Sequence, residues 1–261
     1  MSGNASNRRF DELTNSDVVA ALAERPLVLI PCGSTEQHGP HLPTGTDYFA
    51  SLAICDLVAP ELPALVLPGM QFGVTPIHMG FPSTVSVSAA TYEAVLVEVG
   101  ASLAAHGVRE VGFVNWHEGN IGALATIGSR LTQEYDLNVV IAHACYVAEE
   151  LYGDALGGLT HGGAIEAAAV LGYKPTLVRY DRLSTDDNSP GERAADHARR
   201  GKAFQSVLRD IREISQTGWY GSSQQVPVED GAALIKAVAD VVTRELAARF
   251  ERLAALRPAA L

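Results

Sequence analysis

What the chain has little of narrows it first. Its 261 residues include only three cysteines, Cys32, Cys55 and Cys145, widely spaced and without a CxxC pair. So sparse and odd a number argues against a disulfide framework and fits a reducing compartment. Aromatic residues make up 7% of a chain that is 47% hydrophobic, which leaves a sizeable core to Ala, Val and Leu. Basic residues are in deficit, 19 Lys and Arg against 30 Asp and Glu, for a formal charge of -11. A nucleic-acid or anionic-membrane surface needs clustered Lys and Arg, so neither partner is expected. No apolar run approaches the roughly 20 residues that span a bilayer. The first 25 residues carry no apolar segment of the kind a secretory signal needs. The expected location is the cytoplasm. No GxGxxG follows the first apolar run and no GxSxG surrounds Ser34, which argues against dinucleotide binding and against a serine nucleophile.

Short apolar runs alternate with helical periodicity. Residues 1–9 read as a loose tail and 10–25 as an amphipathic helix stopped by Pro26. Strands are predicted at LVLIP (27–31), ALVLP (64–68), EVGFVN (110–115) and NVVIAHA (138–144). Helices are predicted from Asp47, over 89–106 with Gly107 as its stop, over 120–136, and from Ile165. Two long amphipathic helices, 191–216 and 229–254, are predicted around a segment containing Trp219 and Tyr220. Strands separated by helices of ten or more residues imply βαβ units, and so an α/β fold with a mostly parallel sheet covered on both faces. No linker divides the chain, so residues 1–261 are expected to form one domain. Such sheets bind ligands outside the carboxyl ends of their strands. His38, His41, His78, His117 and His161 fall in loops of that kind.

Three clusters in those loops carry chemistry. In Glu36-Gln-His38-Gly-Pro-His41-Leu-Pro43-Thr-Gly-Thr-Asp47, two ligand types of divalent zinc or manganese lie two residues apart and point to one side of an extended segment. Asp47 could fold back to bridge two cations or simply cap its helix. In Asn115-Trp-His117-Glu118-Gly-Asn120 the imidazole follows the third strand directly, and Asn120 is a candidate helix cap. In His161-Gly-Gly-Ala-Ile-Glu166, Glu166 taken alone reads as an exposed helical carboxylate.

Together these segments resemble the creatininase (creatinine amidohydrolase) family, and GSTEQHGPHLPTGTD carries the resemblance almost throughout. The likeness runs from about residue 10 to 250 and weakens after 180. It implies a three-layer α/β/α fold, a homo-oligomer (hexamers occur in the family), and hydrolysis of cyclic or linear amides with one or two zinc, manganese or iron ions. By position, Glu36 and His117 would hold one metal, His38 the other, and Asp47 would bridge them. His161 would donate a proton or touch the substrate. Two departures stand out. NWHEGN replaces the more usual NGHGGN, and Gly119 stands where creatininases that open creatinine carry a metal-binding Glu. Glu166 is the preferred replacement ligand; Glu118 is the alternative, or else the general base.

The expected substrate is a small cyclic amide or a formamide attacked by metal-activated water. Rival readings are ring opening of a keto-inositol, trimming of short peptides through an open cleft, and non-catalytic binding of a small molecule.

Overall fold

The computed structural model describes residues 8–183 and 206–256. Four parallel strands form its sheet: β1 (Leu27–Cys32), β2 (Leu65–Val66), β3 (Glu110–Asn115) and β4 (Asn138–His143), in the order β2-β1-β3-β4. β1 is buried at every position because helices cover both faces, which is why it reads as an unbroken apolar run rather than an alternating one. Its side chains still divide by parity. Leu27 and Leu29 enter one core, with α2 (Thr46–Glu61), α5 (Ala144–Leu156), α6 (Ala164–Leu171) and α7 (Val228–Leu256). Val28, Ile30 and Cys32 enter the other, with α3 (Ala89–Ala105) and α4 (Ile121–Tyr135). The result is the expected three-layer α/β/α arrangement.

Several boundaries differ from expectation for local reasons. The first helix splits at Thr14, whose side chain forms a reciprocal capping box with Asp17. A 3-10 turn (Phe10–Glu12) precedes it and α1 (Asn15–Glu24) follows. Arg8 and Arg9 are not part of a loose tail. The Arg8 carbonyl accepts the Val66 N–H at 2.8 Å, and the Arg9 guanidinium grips Asp56 and Tyr173. The second strand shortens to two residues; the Leu67 N–H still reaches the Leu29 carbonyl, but the next bond to β1 comes from Met70 to the Pro31 carbonyl, out of regular ladder spacing. α5 was not anticipated from the pattern; it ends on Gly157 in the left-handed region. The helix predicted over 191–216 is missing from its described part. Residues 206–216 hold only a 3-10 turn, Ile211–Glu213, where the Asp210 side chain accepts the Arg212 N–H and competes with a longer helix. Residues 191–205 lie outside the described set. No helix among the described residues is long and apolar enough to cross a membrane.

The strand order fixes where a site can form. From β1 the chain moves outward to β2, then returns to place β3 on the other side of β1. α2, after β1, packs on one face and α4, after β3, on the other. The two loops therefore part above the β1–β3 pair, leaving the switch-point crevice that open α/β sheets use for ligands. Gly33, the first residue past β1, lets α2 come this close, since a Cβ there would collide with the Tyr48 and Asp47 backbone. Gly33→Ala should destabilise the fold by at least ~1–3 kcal/mol through overpacking, read as a lower urea midpoint at unchanged slope. A midpoint equal to that of the unmodified protein would show that α2 yields freely.

Candidate metal centre

The loop after β1 delivers Glu36 and His38 to the crevice, and the first turn of α2 delivers Asp47. Asp47 does not cap its helix: the capping position is Gly45, without a side-chain bond. Both Asp47 oxygens instead face inward. Oδ1 lies 3.3 Å from His38 Nε2, and Oδ2 lies 3.1 Å from His117 Nδ1 and accepts from Ser34 Oγ at 2.8 Å. Glu36 Oε1 sits 3.4 Å from His117 Nδ1, and Glu36 Oε2 accepts from Thr75 Oγ1. Glu166 is no exposed helical carboxylate. It is buried at the start of α6, with Oε2 3.8 Å from His38 Nε2 and accepting the Gly162 N–H at 2.5 Å.

The outer nitrogens of these imidazoles are tied to backbone carbonyls. His38 Nδ1–H donates to Glu36 O (3.0 Å), His117 Nε2–H to Val74 O (3.2 Å) and His161 Nε2–H to Gln37 O (2.6 Å). That leaves His38 Nε2, His117 Nδ1 and His161 Nδ1 turned inward, the second-shell arrangement that orients metal-binding histidines. Candidate donor atoms fall into three groups, each within 4.8 Å of one another: Glu36, Asp47 and His117; His38, Asp47 and Glu166; Glu36, His38 and His161. Asp47 is common to the first two groups.

Glu118 stands apart. It lines the same cavity, but its carboxylate accepts from the Tyr146 hydroxyl at 2.9 Å and belongs to none of the three groups. The cavity measures about 630 Å3 and is walled also by Trp116, Ile77, Ile211 and Tyr220. His78, singled out in the sequence only as a loop histidine, is buried in this wall, with Nε2 3.9 Å from Glu36 Oε1. Pairing it with the cluster required knowing that the β2 loop folds over β1.

The loops are held by residues with no ionisable group. Asn120 does not cap α4; its Oδ1 accepts the Val74 N–H, and its Nδ2 donates to Gly33 O and Asn115 Oδ1. One buried amide thus joins the loops after β1, β2 and β3. Trp219 is buried against Gly39 and Gly162, whose φ angles are +69° and +72°. A side chain at Gly39 would strike the indole, and one at Gly162 the Trp219 Cβ. Gly119 has a similar reason, for a Cβ there would collide with the Val74 carbonyl and His117 Nε2. The carboxylate expected at this position in creatinine-opening enzymes has no room on this backbone.

Charge in the cluster is poised for a cation. Burial opposes ionisation of Glu36, yet His117 beside it holds its carboxyl well below the usual range. Burial pulls the His38 pKa down, but Asp47, Glu166 and Glu36 outweigh it and raise it to about 10. Burial pushes Glu166 up to about 8, with Asp47 and Glu36 adding to the rise against His38. Without metal, protons therefore occupy the places a cation would take. The donor set of imidazole nitrogens and carboxylate oxygens fits borderline divalent ions such as zinc or manganese.

A crevice built this way, above a doubly covered parallel sheet, offers the set of donors that a metal-dependent hydrolase needs. The comparisons carry this further. A profile of the creatininase family, described as creatinine amidohydrolase, matches residues 11–246. A mycofactocin precursor peptide peptidase from Mycolicibacterium smegmatis is 32% identical over 230 residues, covering 84% of this chain and 85% of that one. A creatinine amidohydrolase from Pseudomonas putida is 31% identical over 193 residues, 66% and 74% of the two chains. A solved creatininase superposes with a TM-score of 0.78 at 25% identity, over 94% of this chain and 98% of the other. This chain belongs to the creatininase family and is an amidohydrolase of that family.

The raised pKa values of His38 and Glu166 set a sign for metal loading. Both groups hold a proton at neutral pH that a cation must displace, so apparent affinity should rise as pH increases from 6 toward the His38 value of about 10. Zinc titration by calorimetry in buffers of different ionisation enthalpy should report net proton release at pH 7. Proton uptake, or affinity that falls with rising pH, would contradict the placement.

Proposed function

We propose that the chain hydrolyses the C–N bond of a small amide at a two-cation centre. Glu36 and His117 would hold one ion, His38 and Glu166 the other, and Asp47 would bridge them. The single observation that carries this reading is the pair of donor groups sharing Asp47, with each of its oxygens facing a different imidazole. When bound, such ions lower the pKa of water from 15.7 toward about 7 and polarise a substrate carbonyl. Zinc or manganese suits the donors. The same proposal includes a homo-oligomer in the cytoplasm, supported by the family's habit and by three free, buried cysteines.

The chain's own groups supply the rest. Glu36 is fixed by Thr75 and the imidazoles, so it holds its charge in the crevice. His161 turns a bare Nδ1 toward the cluster while its Nε2–H stays on the Gln37 carbonyl. It can therefore accept a proton at Nδ1 and return it to the departing amine. Trp116, Ile77 and Ile211 wall off water, and Glu118 with Tyr146 presents a polar edge to the part of the substrate beyond the scissile bond.

A cavity of about 630 Å3 exceeds what a compact ring of a few atoms fills. This favours a short peptide amide, in line with the relative that matches over most of both lengths. A cyclic amide or formamide is the second reading, supported by the identity to a creatinine amidohydrolase. Metal-loaded protein should be assayed on di- and tripeptides, lactams, formamides and keto-inositols. Turnover confined to keto-inositols, or of nothing at all, would sink the amide reading.

Glu166→Gln should lose the second ion from the protein, by elemental analysis, together with activity. Glu118→Gln should retain both ions and slow turnover or raise KM. Asp47→Ala should lower metal content and reduce activity by at least about 10³-fold while far-UV circular dichroism stays unchanged. Full metal content in Asp47→Ala would refute the bridging role.

A further inference from the structure

We propose that His78 is a second catalytic imidazole, which donates its Nε2–H to the substrate carbonyl oxygen as negative charge builds on it. The proposal rests on the amide-hydrolase reading above and assigns a donor within that site.

The argument runs through Gln37, a buried amide whose orientation is set on both sides. Its Oε1 accepts the Gly39 N–H at 3.0 Å, and its Nε2 donates to the Gly218 carbonyl at 2.7 Å. One amide hydrogen remains. Two ring nitrogens are within reach, His78 Nδ1 at 3.0 Å and His161 Nε2 at 3.1 Å. His161 Nε2 cannot be the acceptor, because it lies 2.6 Å from the Gln37 backbone oxygen and only a protonated nitrogen bonds there. His78 Nδ1 therefore takes the hydrogen bond, and the neutral ring carries its own proton on Nε2.

A protonated Nε2 has no lone pair for a metal, which agrees with the absence of His78 from the donor groups. Nor does it meet an acceptor among the described residues. Glu36 Oε1, at 3.9 Å, is beyond hydrogen-bond distance. The ring lines the cavity and packs at a tilt against His161, with centroids 4.3 Å apart. Two neighbouring imidazoles thus face the same carboxylate oxygen in opposite tautomers: His161 with a lone pair at 3.8 Å, His78 with an N–H. One ring can move a proton while the other stabilises oxyanion charge, a task for which a fixed neutral donor suffices.

The tautomer is directly measurable. Long-range 15N–1H correlation spectra of zinc-loaded, 15N-histidine-labelled protein should show His78 protonated on Nε2, and Gln37→Met should erase that preference. A His78 Nδ1–H tautomer in the unmodified protein overturns the proposal whatever the substrate. On the amide turned over in the panel, His78→Leu should lower kcat about 10²–10³-fold with KM and metal content little changed. His78→Gln, which restores an N–H, should recover part of the loss and serves if the leucine variant folds poorly. Unchanged kcat in both variants, or loss of metal from His78→Gln, overturns the assignment. Should no amide be turned over, the parent reading fails. Acetohydroxamate binding to zinc-loaded protein then decides the donor role: at least about tenfold weaker binding to His78→Leu upholds it, and equal binding refutes it.

Discussion

Three carboxylates, Glu36, Asp47 and Glu166, are buried within a few ångströms of one another, and the rest of the site answers to that fact. Like charges withdrawn from water repel strongly and lose their hydration, so they cannot all stay ionised without positive charge among them. Among the described residues no Lys or Arg lines the cavity. Imidazoles are the cationic side chains at hand there, and their pKa values rise where they meet the carboxylates most closely, at His38 and His117. A cluster that recruits protons this readily is shaped for divalent ions, which neutralise it more completely.

Holding such groups in place requires a rigid surround, and the surround is made of neutral hydrogen bonds and glycines. Asn120 ties three loops with one side chain, and Gln37 joins the β1 loop to His78 and the Gly218 backbone. His41, whose ring burial keeps near a pKa of about 4, bonds the Gly162 carbonyl through Nε2–H and meets the Trp219 edge. The segment after residue 206 therefore acts on the site from outside, clamping the turn that carries His161 to the loop that carries His38. Because Gly39, Gly119 and Gly162 sit under these contacts, no side chain can be added there without moving a ligand-bearing loop. The NWHEGN segment follows from this packing. Trp116 is buried on the cavity wall, Glu118 turns to Tyr146, and Gly119 makes way for the His117–Val74 bond.

The sequence by itself determined the parts that depend on local periodicity and on motif. Buried parallel strands read as apolar runs, so β1, β3 and β4 fell within a residue of their predicted bounds. Helices with a clear cap or stop, such as α3 ending before Gly107, were equally legible. The Glu36, His38 and Asp47 segment was recognisable because all three arise from one stretch of chain. Tertiary structure alone decided what depends on partners far apart in sequence. It separated Glu166 from Glu118, since a carboxylate beside a motif is indistinguishable from one in it until α6 is seen to bury the first. It turned the Asn120 side chain from an expected helix cap into a clamp, and it left only a 3-10 turn in residues 206–216, where a longer helix was expected. It also brought His78 to His161 across the β2 loop, with the Gln37 amide within hydrogen-bond reach of both rings. The physical reason is common to these cases: a proton's position or a charge's burial is fixed by what surrounds the group in three dimensions, and neighbours along the chain supply only part of that surrounding.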